Sequence, residues 1–190
     1  MNLTLASTSP IRRHMLDCAG VPYEAVAPDL DEAEVKQRFS HPREIAAELA
    51  VAKALSVQNG GWVIGSDSVV SVGSRLFDKP SDRDEATDHL CSFSGKTMVL
   101  TSAVALARDG AEDWRHVDSA ILEVRALSDE FIAAYLDAEW PEVGYCVGVF
   151  RLEGRGVQLF EQIEGDHFTI LGMPLLPLLG ALRDRGLLGQ

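Results

Sequence analysis

Hydroxyl and guanidinium side chains are concentrated in one short segment near the N-terminus, Ser7-Thr8-Ser9-Pro10-Ile11-Arg12-Arg13. Pro10 favours the first position of a helix, so Arg12 and Arg13 fall in or beside the first helical turn. Positive side chains are unfavourable at that end of a helix unless an anion binds there. The Ser7 hydroxyl, exposed backbone N–H groups and forked guanidinium groups therefore indicate a polyphosphate site. Two solvated arginines on a surface helix explain this segment equally well.

A single carboxylate interrupts an apolar segment further along the chain. Asp67 lies within Val63-Ile64-Gly65-Ser66-Asp67-Ser68-Val69-Val70. Burying an ionised carboxylate is costly, so Asp67 is expected to have a charged partner or a functional role. It could bind a metal or activate a water molecule, and Gly65 would let a ligand or another backbone segment approach closely. A salt-bridged acid at the end of a strand is the alternative explanation.

Three lysines lie in segments that could present a positive charge to an anion. Lys53 is on a predicted helix, Lys79 is in Asp78-Lys79-Pro80, and Lys96 is in Ser94-Gly95-Lys96-Thr97. The last segment is not a P-loop, because Leu90 stands where that motif needs its first glycine and a strand follows. Each lysine could also be a solvated surface charge.

Charge and length limit the classes of function. The 190 residues can bury one core, and 29 acidic against 17 basic residues give a net charge of -12. This charge repels nucleic acid and anionic lipid, so neither is an expected partner. No segment reaches the roughly 18 apolar residues of a membrane span. Three cysteines without a CxxC pair suit a reducing compartment and mostly buried thiols, so we expect a cytoplasmic protein.

Strand and helix signals alternate along the chain. Strands are predicted at Leu3–Ala6, Tyr23–Ala27, Trp62–Val72 and Val157–Ile163, with a hairpin joining Met98–Ala107 to Trp114–Val124 across Asp109-Gly110. Helices are predicted after Ser9, over Pro42–Leu55, from Ser81, over Ser128–Ala138, and from Pro174 to near Gly186. This pattern indicates one α/β domain over residues 1–190, with a mixed β-sheet and flanking helices.

Several short motifs occur in order along the chain. They are Leu5-Ala6-Ser7-Thr8-Ser9-Pro10-Ile11-Arg12-Arg13, Ala52-Lys53-Ala54, Gly65-Ser66-Asp67, Asp78-Lys79-Pro80, Phe93-Ser94-Gly95-Lys96, Glu153-Gly154, Ile163-Glu164-Gly165-Asp166 and Leu171-Gly172-Met173-Pro174. Together they resemble the Maf family of nucleotide pyrophosphatases, from Leu5 to about Leu179. The resemblance implies hydrolysis of the α–β phosphate bond of a nucleoside triphosphate, giving a nucleoside monophosphate and pyrophosphate.

The same resemblance implies further properties. The expected fold is an elongated sheet with two lobes around a central cleft, similar to inosine triphosphatases of the Ham1 type. A divalent metal cation, Mg²⁺, Mn²⁺ or Co²⁺, is the expected cofactor, and a homodimer is an expected assembly.

Roles for individual residues also follow from the resemblance. Asp67 corresponds to the proton acceptor and is a candidate metal ligand. Glu32 is a second candidate metal ligand, although a charged surface turn explains it nearly as well. The candidate substrate-binding residues are Ser7, Arg12, Arg13, Lys53, Lys79 and Lys96.

Three positions bear on the choice of base. They are Ile11, Ser68 and Glu153, of which Glu153 matches the branch of the family that uses 7-methyl-GTP. Ile11 and Ser68 match neither that branch nor the one that uses dTTP and UTP. A glutamate only accepts hydrogen bonds and is negative, which suits a guanine edge or a methylated, cationic purine. We therefore expect a house-cleaning enzyme for modified nucleotides such as 7-methyl-GTP.

Three alternatives remain at this point. The chain could hydrolyse dTTP, UTP or CTP, or it could be a non-catalytic nucleotide-binding regulator of septum formation. It could also act on a sugar phosphate or nucleotide sugar with the same anion site. Pyrophosphate release from plain nucleoside triphosphates separates the pyrophosphatases from the regulator and from the sugar-phosphate or nucleotide-sugar enzyme.

Overall fold

The protein is an α/β structure, described here by a computed structural model that covers residues 2–58 and 60–189. The strands are Leu3–Ala6 (β1), Glu24–Val26 (β2), Trp62–Val72 (β3), Arg75–Phe77 (β4), Thr97–Arg108 (β5), Ala111–Val124 (β6) and Phe160–Glu164 (β7). The helices are Pro10–Cys18 (α1), Glu32–Arg38 (α2), Pro42–Leu55 (α3), Arg83–Phe93 (α4), Asp129–Glu139 (α5), His167–Ile170 (α6) and Leu175–Asp184 (α7). Short 3₁₀ helices span Glu142–Tyr145 and Arg155–Leu159.

Within the described residues the strands form one seven-stranded sheet in the order β2-β1-β3-β5-β6-β7, and β4 pairs with β3. Strand β1 is parallel to both of its neighbours, with Leu5 opposite Ala25 of β2 and Ile64 of β3. Strands β4 and β7 are antiparallel to β3 and β6. The predicted mixed sheet with flanking helices is therefore confirmed.

The chain divides into two compact units. The first contains the described residues of Met1–Ser68, Thr101–Asp118 and Asp166–Gln190, and the second contains Val69–Leu100 and Ser119–Gly165. The single domain over residues 1–190 stays a prediction.

The first unit has its own apolar core. Buried side chains of β1, α1, β3, β5 and α7 form one cluster that includes Leu5, Leu16, Ile64, Leu106 and Leu178, all fully buried. Burying aliphatic side chains of this size contributes about 1.5–3 kcal/mol each. This core fixes the end of β1 and the start of α1, where the polar N-terminal segment lies.

The proline and glycine signals of the first unit predict element ends well. Pro10 is the first residue of α1 and Pro42 the first of α3, as expected. The turn between β5 and β6 consists of Asp109 and Gly110, with φ of 52° and 78°. Two central residues in the left-handed region are typical of a tight hairpin whose twist matches that of its strands.

In the second unit the starts of α4 and β7 differ from the prediction. Helix α4 is capped by Asp82, whose carboxylate accepts from the Glu85 N–H at 2.8 Å, so Ser81 is not the cap. The Ser81 hydroxyl donates instead to the Glu85 carboxylate at 2.7 Å. Strand β7 begins at Phe160, not at Val157, because the preceding residues form a 3₁₀ turn. The predicted Ser128 cap of α5 is confirmed, since its hydroxyl accepts from the Phe131 N–H.

The cysteines are more accessible than expected. Cys18 and Cys91 are exposed and Cys146 is half-buried, so the prediction of mostly buried thiols was wrong. Burial is the main reason that the pKa of the Cys146 thiol is raised to about 11, with Glu153 acting in the same direction. A thiol with a raised pKa is mostly protonated near neutral pH and is a poor nucleophile.

Among the described residues, no helix is both long and apolar enough to cross a membrane.

A buried histidine couples the stability of the second unit to pH. His89 of α4 is 4% exposed, and its ring lies edge-on to Phe77 with centroids 5.1 Å apart. Burial lowers the pKa of His89 below its ordinary value of 6.5, with Arg75 acting in the same direction and Glu85 opposing. The folded state therefore keeps this ring neutral under conditions in which the unfolded chain protonates it.

We predict that the free energy of unfolding falls as pH drops from about 7.5 to about 5.5, either side of the ordinary histidine pKa. The unfolded chain binds the extra proton in that range, and each proton favours unfolding. His89→Leu should make this fall smaller, as measured by urea denaturation at the two pH values. An equal fall in the variant and the wild type contradicts the role given to His89.

Candidate active site

The close approach of α3 to β3 at Gly65 sets the geometry of the site. A Cβ atom placed on Gly65 would lie 2.0 Å from the Ala50 carbonyl oxygen and 2.5 Å from the Ala54 backbone nitrogen. Only a glycine leaves room for the backbone of the helix against the strand. Lys53 lies beside this contact on α3, and Asp67 lies two residues beyond Gly65 on β3.

Lys53 bridges two carboxylates. Its Nζ atom lies 2.5 Å from Asp67 Oδ1 and 2.7 Å from Glu32 Oε1. The Lys53 and Asp67 side chains are 9% and 10% exposed, whereas that of Glu32 is 44% exposed. The salt bridge that the sequence analysis gave as an alternative for Asp67 is present, and Glu32 contacts the same lysine.

Helix α2 positions Glu32. Asp31 caps this helix by accepting from the Ala33 N–H at 2.9 Å, which fixes Glu32 in the first turn. Glu32 also lies 4.0 Å from Lys36 one turn later. Glu32 is thus a helical residue, whereas the sequence left a surface turn open as an explanation.

The buried ion pair is a constraint on the whole site. Removing one partner from such a pair typically costs about 3–5 kcal/mol, because the other charge stays buried without compensation. Lys53 and Asp67 therefore hold each other in place.

The start of α1 presents polar groups without a side-chain cap. Ser9 occupies the capping position, but its side chain caps no N–H group, and the first turn contains no acidic residue. The Ser7 hydroxyl accepts from the Ser9 N–H at 3.2 Å. Arg13 donates from Nη2 to the Ser7 carbonyl at 3.4 Å, and within residues 2–58 and 60–189 its buried Nε has no hydrogen-bond partner. An uncapped N-terminus of this kind favours an anion.

Arg12 is oriented by two acceptors. Its Nε donates to the Gly172 carbonyl at 2.9 Å, and its Nη2 donates to the Ser68 hydroxyl at 3.3 Å. Burial lowers the pKa of Arg12, while Asp67 and Glu32 act in the opposite direction. Its guanidinium still carries a positive charge at any physiological pH. Arg12 therefore belongs to the same electrostatic cluster as the two carboxylates.

A hydroxyl network lies beneath Arg12. Ser102 donates to the Thr169 carbonyl at 2.8 Å and lies 2.9 Å from the Ser68 hydroxyl. Ser66 donates to the carbonyls of Ala103 at 2.8 Å and Gly172 at 3.0 Å. These bonds connect β3 and β5 to α6 and to the segment after it, so the Gly172 carbonyl that holds Arg12 is itself held in place.

The second unit carries the other predicted site residues. Lys79, Lys96 and Glu153 are all exposed there. Lys96 donates to the Ser92 carbonyl at 2.8 Å. Next to Glu153, Gly154 packs against the buried Glu139 carboxylate, since a Cβ atom would lie 3.3 Å from its Oε2.

The structure thus brings together a subset of the predicted residues. Lys53 contacts both Asp67 and Glu32, and Arg12 donates a hydrogen bond to Ser68. The polar residues that the sequence analysis missed are Ser66, Ser102, Thr169 and Gly172. Of these, Ser66 and Gly172 lie inside motifs that the sequence analysis recognised, and their place in those motifs could have indicated that they belong to the site.

Comparison with known proteins identifies the family. The model of the family described as Maf-like protein matches residues 2–185. This chain belongs to the Maf-like family. A Rhizobium etli protein named 7-methyl-GTP pyrophosphatase is 47% identical, covering 97% of this chain and 96% of its own. A Rhodopseudomonas palustris protein named nucleoside triphosphate pyrophosphatase is 46% identical, covering 98% of this chain and 95% of its own.

Solved structures of other families are more distant from this Maf-like chain. The Staphylococcus aureus Ham1 protein is 15% identical with a TM-score of 0.45, covering 65% of this chain and 72% of its own. A likeness at this level says nothing about chemistry.

We predict that Gly65→Ala destabilises the protein by about 3 kcal/mol, the upper end of the usual cost of overpacking. The added methyl group must push α3 away from β3, which also separates Lys53 from Asp67. Urea denaturation measures the change.

The matched control is Gly180→Ala in α7, where a Cβ atom meets nothing within 4 Å apart from its chain neighbours and the backbone of its own helix. That variant should be unchanged or more stable by up to about 1 kcal/mol. Equal effects at both positions contradict the packing role of Gly65.

Proposed function

We propose that this protein is a nucleoside triphosphate pyrophosphatase, which hydrolyses the α–β phosphate bond to give a nucleoside monophosphate and pyrophosphate. The observation that carries the proposal is the buried Asp67 carboxylate, held by Lys53, which also contacts Glu32, in the same unit as the uncapped start of α1. The names of the two Maf-like relatives support the same reaction.

The reaction requires an oriented water molecule and neutralisation of the negative charge on the leaving pyrophosphate. Asp67 uses Oδ1 for Lys53, so its second oxygen can accept a proton from the attacking water. Asp67 is therefore assigned as the proton acceptor.

Groups at the start of α1 are assigned to the phosphates. The N–H groups of the first turn, the Ser7 hydroxyl and the guanidinium groups of Arg12 and Arg13 are all hydrogen-bond donors. Two of the five N–H groups of Arg12 have acceptors in the part of the chain that the structure describes, which leaves three for an anion. From the second unit, Lys79 and Lys96 are proposed as further substrate ligands.

The donor set around Asp67 suits a hard divalent cation. Asp67 and Glu32 already bring two carboxylate oxygens to one cationic atom, the Lys53 ammonium. Residues 2–58 and 60–189 contain no group of three or more histidine, cysteine, aspartate or glutamate side chains placed to hold a metal. Mg²⁺ is commonly held by one or two carboxylates together with water and substrate phosphates, so two ligands fit.

Asp67 and Glu32 would therefore hold the cation, with Mn²⁺ and Co²⁺ as alternatives to Mg²⁺. The bound cation would supply charge neutralisation at the phosphates. We also propose that the protein works as a homodimer in the cytoplasm.

A modified purine such as 7-methyl-GTP is the proposed substrate, which makes the protein a house-cleaning enzyme. The support is Glu153, an exposed carboxylate that accepts hydrogen bonds and is attracted to a cationic base. Ile11 and Ser68 are the other two proposed specificity positions.

We predict that Asp67→Asn lowers the rate of pyrophosphate release by at least about 100-fold, the lower end of the usual contribution of a general base. The assay compares ordinary and modified nucleoside triphosphates with Mg²⁺, Mn²⁺ or Co²⁺. Circular dichroism establishes that the variant is folded.

Full activity of folded Asp67→Asn contradicts the catalytic assignment. If the wild-type protein binds nucleotide but releases no pyrophosphate from any substrate, the regulatory binding function replaces the enzyme.

We predict that Glu153→Gln lowers the ratio of kcat/KM for 7-methyl-GTP to that for UTP by about tenfold or more. Hydrogen bonds to charged groups are worth about 1.5–3 kcal/mol, and tenfold corresponds to about 1.4 kcal/mol. Steady-state kinetics with both nucleotides provide the measurement.

Glu161→Gln is the matched control, because Glu161 is another exposed glutamate of the second unit, on β7. It should leave the ratio unchanged. A ratio that falls equally in both variants, or in neither, removes Glu153 from base selection.

A further inference from the structure

The ammonium group of Lys53 occupies the point on which two carboxylates converge. Asp67 Oδ1 and Glu32 Oε1 lie 2.5 Å and 2.7 Å from Lys53 Nζ. One cation is thus already shared between the two side chains assigned to hold the divalent metal. The Lys53 ammonium therefore already neutralises Asp67 Oδ1 and Glu32 Oε1 in the protein without metal.

A metal ion and the ammonium cannot share these oxygens at the same time. The two cations would repel each other strongly at such short range in a largely buried site. Lys53 is 9% exposed, so solvent offers little screening where it lies. Binding of a divalent cation to these two oxygens, Asp67 Oδ1 and Glu32 Oε1, therefore requires the ammonium to leave.

The three residues differ in their freedom to move. Lysine carries its charge on a flexible four-carbon stem with three rotatable donors. Glu32, at 44% exposure on the first turn of α2, can also shift, whereas Asp67 is 10% exposed within β3. Exchange at this site consequently needs movement of Lys53 and not of the sheet.

We infer that Lys53 is an exchangeable counter-ion. In the metal-free protein its ammonium holds Asp67 and Glu32 together and keeps the buried Asp67 charge compensated. A divalent cation displaces it, and the displaced ammonium is then available to a phosphate group of the substrate. This inference rests on the proposed pyrophosphatase function and assigns Lys53 two successive partners instead of one.

The exchange has a measurable consequence for metal binding without nucleotide. Lys53 lowers the affinity of the site for a divalent cation, because the cation must break the Lys53 contacts before it binds. A variant with an uncharged side chain of similar length at position 53 should therefore bind the cation more tightly, although it also lacks a phosphate ligand. If Lys53 only bound the phosphates or only stabilised the fold, its replacement would not tighten metal binding.

The first experiment titrates Mn²⁺ into nucleotide-free protein and follows the free-ion signal by electron paramagnetic resonance. Lys53→Met should bind Mn²⁺ at least about tenfold more tightly than the wild type, because it removes a full charge from a buried site. Lys36→Met is the matched control. It removes the same charge 4.0 Å from Glu32 but at a side chain that is 34% exposed, so its effect should stay below about threefold.

Equal or weaker Mn²⁺ binding by folded Lys53→Met overturns the inference. Tighter binding in Lys36→Met of the same size also overturns it, because general electrostatics would then explain both variants. If neither the wild type nor Lys53→Met binds Mn²⁺, the proposed metal site fails together with the exchange. Pyrophosphate release by the wild type, measured separately, reports on the proposed function itself.

A second measurement follows the wild-type chain and uses a variant only to assign one signal. The protein has four lysines, so the ammonium signals of ¹⁵N-lysine-labelled protein can be resolved, and Lys53→Met assigns the missing one. Saturation with diamagnetic Mg²⁺ should shift or broaden the Lys53 signal while those of Lys79 and Lys96 stay in place. An unchanged Lys53 signal at saturating Mg²⁺ overturns the inference.

Discussion

The backbone contact between α3 and β3 at Gly65 is the constraint on which the site depends. Lys53 reaches Asp67 because the helix lies against the strand without an intervening side chain. The helix supports this approach with small residues on its buried face, Ala46, Ala47, Ala50 and Ala54. Interiors are close-packed, so such a contact cannot relax to accommodate even one methyl group without moving an element. The steric contact at Gly65 therefore sets the distance between Lys53 and Asp67, and the electrostatics of the carboxylates depend on that distance.

Elements with chemical end signals and buried faces could be predicted from the sequence. Strand β3 has the bounds that its β-branched residues indicated, and α3 begins at Pro42 and ends at Leu55 as expected. Helix α2 was missed because none of its residues is buried, and a helix without a buried face leaves no apolar periodicity. The start of α4 was misplaced by one cap residue, since serine and aspartate are nearly equivalent at that position.

The site could be predicted as a set of residues but not as a set of contacts. Asp67, Lys53 and Glu32 were each singled out, from burial of a charge or from the resemblance. Their direct association was not, because it depends on which helix packs against which strand and in which register. Local sequence carries no such information for residues 14 or more positions apart. The same reason hid the hydroxyl network, since Ser66 and Ser102 acquire their partners only in the folded sheet.

Ser68, one of the proposed specificity positions, belongs to the hydrogen-bond network that orients Arg12. Its hydroxyl accepts from Arg12 and lies 2.9 Å from Ser102, which donates to the Thr169 carbonyl. Ser102 uses its proton on that carbonyl, so the single Ser68 proton is shared between the Ser102 oxygen and the Gly172 carbonyl, and Ser68 keeps a lone pair for Arg12. A longer side chain at this position would have to displace the Arg12 guanidinium or the Gly172 carbonyl, 3.2 Å away. A change at position 68 therefore alters the direction in which Arg12 presents its remaining donors, which are the groups proposed to bind the phosphates.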